Sequence, residues 1–471
     1  MEEQQWIEAE ADAMRQAADG RLIDVRHYGA KGDGVQDDTE AVQTILDGLD
    51  EGSTVFFPPG RYKVAGLRLF GKKHVVLCGN AHIVGDGTSG AGAVWRIERC
   101  GNVTVEGLTV SGIPTGSEDR GFWVGNSYNV TIRKNRIADF AGEAIVIWGS
   151  DDPVESTNHI YDNYLLGNGC AIRTQANGEY IHISRNKIVN NRWGIVGGLG
   201  NCRIDNNQII LNDYGVHLNS ALSSNPDHSS ITGNQINHNR CVGLFVENLV
   251  SGEQIADNQI LSTIGGFWPV TGKPHSLVMR NVSDVAFIGN RVDADSTSDS
   301  WIHIDGHREC RYIGNTFHSG PFREISGGSG NYFIGNRYLA PSELRVHPDS
   351  TDTIRYCEQE RGVFLGDAAS VINKMPFGEL SNGWLDAPGY GRLSYWKDGE
   401  GTIHLQGAVQ GGAKGTAIGI LPQHYRPRHT IDLPVSGGEG EYGAIRIQPS
   451  GEVCHLAGGN AQISISVKFK P

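Results

Sequence analysis

Apolar and polar positions alternate in short bursts along residues 129–338, and one burst keeps returning. It runs Val130 to Ile137 around Asn135, Ile160 to Leu165 around Asn163, and Ile183 to Ile188 around Asn186. It returns around Asn207, Asn234, Asn258, Asn290, Asn315 and Asn336, each time flanked by Ile, Val, Phe or Tyr. Successive asparagines lie 28, 23, 21, 27, 24, 32, 25 and 21 residues apart, which is a repeat period. No unit sustains a 3.6-residue pattern. Each holds short β-type runs broken by Asn, Gly and Asp. Roughly 25 residues with three short strands make one turn of a parallel β-helix, a solenoid fold. The asparagine is expected at a tight bend, where it tolerates the left-handed conformation. With rungs about 4.8 Å apart, its side-chain amides are expected to hydrogen-bond into a ladder.

A further strand follows each asparagine turn, usually opened by Gly or Ala. Alternation sends Ile145, Ile172, Val216, Leu244, Leu277 and Ile302 inward. The outward set is then Trp123, Val146 with Trp148, Arg173 with Gln175, His217 with Asn219, Phe245 with Glu247, Val278 with Arg280, and His303 with Asp305. Stacked rungs bring these side chains into one stripe of aromatics, arginines, histidines and carboxylates. That mixture suits a sugar polymer, since rings take the apolar face of a pyranose and charged or amide groups take its hydroxyls. A solvated solenoid face more often carries Ser, Thr, Asn and Lys. Other acids compete for a catalytic role. Glu143 and Asp213 lie just before this strand, and Asp151, Asp152, Glu155 and Asp227 lie in the long turns after it.

The chain of 471 residues has 64 glycines, in keeping with a turn-dense all-β protein. Formal net charge is −13, and nucleic-acid binding, which needs basic stripes, is not expected. Eight cysteines are scattered singly with no CxxC, so neither a metal site nor a redox motif is expected, and no cofactor is implied. They read as small buried hydrophobes made in a reducing compartment. No apolar run reaches membrane-span length, and the first residues lack a signal peptide's basic start and apolar core.

Residues 1–21 read as a helix ending at Gly20, suited to attachment or trimer formation. Residues 22–52 read as a capping segment. Gly32-Asp-Gly34 marks a turn, and Asp37 with Glu40 makes a capping-box start to a helix that buries Ala41, Val42, Ile45 and Leu46. The β-helix then occupies 53–340, and Pro341, Pro348 and Pro376 mark a connector over 341–382. From 383 to 471 Ile403, Leu405 and Val409 alternate with polar residues, and paired glycines separate antiparallel strands.

The phrase Asp24-Val-Arg-His-Tyr-Gly-Ala-Lys-Gly-Asp-Gly-Val-Gln-Asp-Asp-Thr-Glu-Ala-Val-Gln43, followed by Phe56-Phe-Pro-Pro-Gly-Arg-Tyr62, resembles the start of the pectate-lyase-like, right-handed parallel β-helix superfamily. That group includes polysaccharide lyases, polygalacturonase-like hydrolases, epimerases and bacteriophage tailspikes. The resemblance covers about residues 22–340. The polygalacturonase catalytic phrases are absent as a set, and so is the epimerase phrase Asp-Pro-His-Glu. Gly415-Thr-Ala-Ile-Gly-Ile-Leu421-Pro-Gln-His-Tyr425-Arg-Pro427 resembles the small C-terminal β-domain of phage tail fibres and tailspikes. It implies trimerisation or further glycan binding.

Together these imply a homotrimeric phage tailspike, carried on the virion through its N-terminus at the tail or baseplate. It would bind and depolymerise a bacterial surface polysaccharide, capsule or O-antigen. Hydrolysis comes first, with Glu247 as acid and Asp305 as base two rungs apart, near the separation of inverting glycosidases. Phe245 is expected to desolvate Glu247. Lyase chemistry comes second, with Arg280 or Arg173 neutralising a uronate carboxylate and His217 or His303 as base. A non-catalytic adhesin using the same groove is the competing class.

Overall fold

The computed structural model describes residues 22–86, 92–112, 119–149, 157–175, 178–198, 200–222, 228–250, 252–261, 274–293, 301–318, 322–326, 329–339, 352–355, 357–359, 363–364, 375–398, 401–437 and 441–471. The expected N-terminal helix therefore lies outside the described residues, as do Asp151, Asp152, Glu155 and Asp227. The chain divides into two compact units, Met1–Cys310 with Asn315–Arg323, and Arg311–Gly314 with Glu324–Pro471.

In the first unit the chain winds in rungs, and successive rungs add strands to three parallel sheets. One rung reads Thr131–Arg133, Arg136–Ala138, Glu143–Trp148, and the next reads His159–Tyr161, Tyr164–Leu166, Cys170–Gln175. Residues in register form aliphatic stacks. Ile132, Ile160, Ile183 and Ile204 line the first sheet, and Ile137, Leu165, Ile188 and Ile209 the second. Ile145, Ile172, Ile195, Val216, Leu244, Leu277 and Ile302 line the third, all fully buried. Burial of one such side chain is worth roughly 1.5–3 kcal/mol. Each stacked side chain packs against those of the neighbouring rungs, so no rung is stable alone.

The asparagine ladder runs through the bend between the first two sheets. Asn135, Asn163, Asn186, Asn207, Asn234, Asn258 and Asn290 each donate from Nδ2 to Oδ1 of the next, the last of these bonds reaching Asn315, at 2.9–3.2 Å. In mid-ladder Oδ1 of Asn207 also accepts from the Asn186 backbone N–H, and its Nδ2 also donates to Ile183 O. The amide is thus saturated in a site 1% exposed. The left-handed residue is not the asparagine, as the turn chemistry suggested, but the one before it. Lys134, Asp162, Arg185, Asn206 and Asp257 have φ of 51–57°, and Gly233 and Gly289 take the same place. A side chain there costs roughly 1–2 kcal/mol, and the buried amide's bonds hold the bend regardless. Another ladder, Asn168, Asn191, Asn212 and Asn239, marks the bend before the third sheet, with bonds of 2.8–3.0 Å.

At the start of the β-helix the Thr39–Asp47 helix buries Val42, Ile45 and Leu46. Its N-cap is Asp38 rather than Asp37. The buried Asp38 carboxylate accepts instead from the N–H groups of Lys31 and Gly32, fixing the turn ahead of the helix. Asp37 accepts from the Thr39 N–H. The cysteines are all free thiols. Burial pushes Cys170 and Cys202 up to about 12, so both are inert neutral fillers.

The second unit holds an antiparallel sheet whose longest strand, Ile403–Gln410, pairs with Ser394–Lys397 and Ile463–Phe469. Its core gathers Trp384, Leu405, Ile418, Ile445, Ile465 and Phe377. In the Leu421–Pro427 phrase, Leu421 is fully buried, Tyr425 packs on Tyr395 with ring centroids 4.8 Å apart, and Arg426 Nε donates to Leu421 O. That wording encodes a packed turn.

Replacing Asn207 by Ala strips partners from Asn186, Ile183 and Asn234 inside a dry bend. We expect a loss of about 3 kcal/mol or more, read as a lower denaturant midpoint. An unchanged midpoint would mean that the ladder contributes nothing to stability.

Candidate functional site

The third sheet carries the candidate site on its outer face. Val146, Arg173, Val196, His217, Phe245, Val278 and His303 stand in register along one row. In the neighbouring row Trp148 pairs with Gln175, and further along Asn219, Glu247, Arg280 and Asp305 follow one another. Strict alternation puts both rows outside, because Ile147, Leu218, Val246, Met279 and Ile304 between them point inward and are buried.

Glu247 is the centre of this face. Its Oε1 accepts from Asn219 Nδ2 at 2.9 Å and lies 3.0 Å from His217 Nε2. Its Oε2 lies 3.3 Å from an Arg280 Nη. Both oxygens are engaged and the side chain is only 13% exposed. Asn219 is itself held, since its Oδ1 accepts from Asn248 Nδ2 and the Ala221 N–H. With Glu247 accepting, Nε2 of His217 is the donor and Nδ1 is the acceptor nitrogen. Burial is the largest influence on His217 and drives its pKa below the ordinary imidazole value. Glu247 opposes that shift, while Arg173 and Arg280 add to it. The imidazole is therefore neutral at neutral pH, with two guanidinium groups near enough to act on it. His303 is shifted down for the same leading reason, with Asp305 opposing and Arg280 adding.

Aromatic rings pave the approach. His217 stacks on Phe245 at 4.4 Å and lies 5.6 Å from Trp193, which stacks on Tyr214 at 4.0 Å. Trp193 and Tyr214 fall outside the stripe expected from alternation. They open their strands ahead of Gly194 and Gly215, where a Cβ would meet the Gly215 and Gly243 carbonyl oxygens at 2.2 and 2.4 Å. Each ring stands one residue ahead of a glycine crowded by the next rung's carbonyl, and parity counted from the strand centre does not give its side. A bulky ring immediately before a strand glycine was the available signal.

The other expected residues separate into groups. Glu143 accepts from Arg120 Nε at 2.8 Å and Arg173 Nε at 3.0 Å, which ties Arg173 into the face. The Trp123 ring folds along its own strand over Gly125, with the Arg96 guanidinium 4.4 Å above it. Trp148 stands 44% exposed beside Gln175. Asp213 pairs with Arg240 in an exposed bridge. Among the described residues no group of three or more His, Cys, Asp or Glu is placed to hold a metal ion, and no helix is long and apolar enough to cross a membrane.

Residues 22–246 match the model of the rhamnogalacturonase A/epimerase, pectate lyase-like family. Residues 174–337 match that of the periplasmic copper-binding protein NosD. Over 285 residues, 49% of the chain, the sequence is 26% identical to plasmin and fibronectin-binding protein A of Streptococcus pneumoniae. Over 173 residues, 31% of the chain, it is 28% identical to alginate lyase 7 of Azotobacter vinelandii. The matches span 39% and 20% of those two proteins. Among solved structures, the A-module of the mannuronan C-5 epimerase AlgE6 of Azotobacter vinelandii superposes with a TM-score of 0.50 at 17% identity, covering 72% of this chain and all of the module. Fold and register make this chain a parallel β-helix protein, and over residues 22–246 it matches a pectate-lyase-like family model, with similarity to enzymes that act on polysaccharides.

Proposed function

We propose that the chain is a bacteriophage tailspike, a homotrimer that grips an acidic polysaccharide on the host surface and cleaves it by β-elimination. The clamp around Glu247 carries the chemical part. A carboxylate that accepts at both oxygens is built to orient its donors, not to give a proton to a leaving group. His217, held by its Nε2–H and kept neutral by burial, presents Nδ1 as a base. In this reading Nδ1 takes the proton from the carbon bearing the uronate carboxylate. The electron pair forms a carbon–carbon double bond, the glycosidic C–O bond breaks, and the leaving oxygen takes a proton from water, whose hydroxide is neutralised by the proton that His217 then releases. Arg173 uses only its Nε on Glu143, and its remaining N–H groups, with Arg280, neutralise the substrate carboxylate as charge builds on it. Trp193 and Tyr214 supply apolar surface for the flanking sugars. The similarity to alginate lyase 7 supports the same class of polymer.

The tailspike part rests on the Leu421–Pro427 phrase and on the second unit's sheet, which exposes Leu385, Ile420 and Tyr442. Apolar groups of that size on one domain suit a subunit contact. Hydrolysis is the second reading, favoured by the register that sets Glu247 and Asp305 two rungs, about 9–10 Å of backbone, apart.

Incubation with uronate polymers decides between them. Elimination yields products absorbing in the ultraviolet, and His217→Ala should lower turnover about 100-fold or more while retaining binding. New reducing ends without absorbance would move the chemistry to Glu247 and Asp305, and an intact polymer would leave an adhesin. Because His217 works unprotonated, activity should be full above the ordinary imidazole value of about 6.5. It should fall only as pH drops through the lowered value of His217, a limb that kcat/KM profiles will locate. Light scattering should give three times the 51.0 kDa chain mass, and a monomer mass would count against the trimer.

A further inference from the structure

A different face of the β-helix holds an open concavity of about 510 Å3, at the bend between the first and second sheets. Its lining includes Lys134, Arg136, Asp162, Tyr164, Arg185 and Lys187. Four cations converge here in a chain whose net charge is −13. Asp162 does not cancel them, because Arg185 grips both of its oxygens, at 2.9 and 3.2 Å. That leaves Lys134, Arg136 and Lys187 in excess. Arg136, Tyr164 and Lys187 occupy one register line on three successive rungs. The Arg136 guanidinium and the Lys187 ammonium both lie over the Tyr164 ring, 5.6 and 5.5 Å from its centroid. The tyrosine therefore acts as a scaffold that holds two exposed cations on opposite sides at a fixed spacing. Further along the bend the same line carries Gln208, Gln235 and Gln259. The next cation on the line, Arg291, is paired with Asp293, so the unpaired charge here spans three rungs, about 10 Å of length, which is the reach of two sugars in an extended chain.

We infer that this concavity is a second binding site, for a carboxylate-bearing glycan segment, separate from the face around Glu247. Fixed cations at rung spacing meet carboxylates recurring along a polymer, and pre-ordering by the ring lowers the entropy lost on binding. A duplex nucleic acid would need a longer basic track. If the same polymer engages both faces, holding it here would raise its local concentration at the other. The site does not depend on the elimination reading.

The test measures binding of tetrameric polygalacturonate to the full chain carrying His217→Ala, which prevents turnover, with and without Arg136→Ala plus Lys187→Ala. Both added changes are on exposed side chains, and an unchanged unfolding midpoint verifies the fold. The affinity of this site should fall about tenfold, and its salt dependence should flatten. Tyr164→Leu keeps every charge and should weaken binding about threefold. Neutral dextran oligomers should not compete. An unchanged affinity in the double variant, equal binding of dextran, or binding only to phosphatidylglycerol vesicles would overturn the inference. Tetramer affinity lowered in the double variant without ultraviolet-absorbing products from the unsubstituted chain would sink elimination alone. Products with binding unaltered in the double variant would sink this site alone.

Discussion

Everything in the β-helix depends on satisfying buried amides at its bends. A solenoid turn takes the chain out of one sheet and into the next within two or three residues. The backbone groups there point inward with no strand to pair with, and leaving one unmet costs roughly 1–3 kcal/mol. A side-chain amide is neutral and carries two donor hydrogens beside an acceptor oxygen, so identical residues stack without charge repulsion and still reach the backbone. Once the amides are paired, the aliphatic stacks follow in register, and with them the two outer rows of the third sheet. The separation of His217, Glu247 and Arg280 is set by rung spacing, not by loop conformation. A site on stacked strands is rigid before any ligand arrives.

The period, the ladder and the inward stacks were legible in the sequence because each repeats with a chemical signature. A single Asn between aliphatic residues every 21–32 positions admits few other readings. The placement of the left-handed residue was not legible. Lys134 and Arg185 are poor candidates for positive φ on propensity alone, and only the bonded amide beside them forces it. The ladder of Asn168 and its successors was hidden because its immediate flanks change from rung to rung, Gly167 and Gly169, Asn190 and Arg192, Leu211 and Asp213, His238 and Arg240.

The candidate site was legible to the extent that alternation governs it. Glu247, Arg280 and Asp305 fall on the expected line. What the line did not reveal is which partners each group takes. Glu247 has Phe245 two residues before it, which suggested an apolar setting, yet the ring turns to stack on His217 and polar donors surround the carboxylate. Such choices depend on rotamers and on rungs 28 to 33 residues away, information that no local pattern contains.

One feature bears on how such proteins change over generations. Ladder bonds stay within 2.9–3.2 Å although the chain between their ends varies from 21 to 32 residues. The closure entropy separating those two lengths is only about 0.4 kcal/mol, less than one hydrogen bond is typically worth. Insertions between anchoring amides are therefore nearly neutral for the scaffold. Loops bordering the outer face of the third sheet are free to lengthen, shorten or be exchanged while the rungs beneath stay in place. Sequence variation between the anchoring amides is, in this architecture, decoupled from folding.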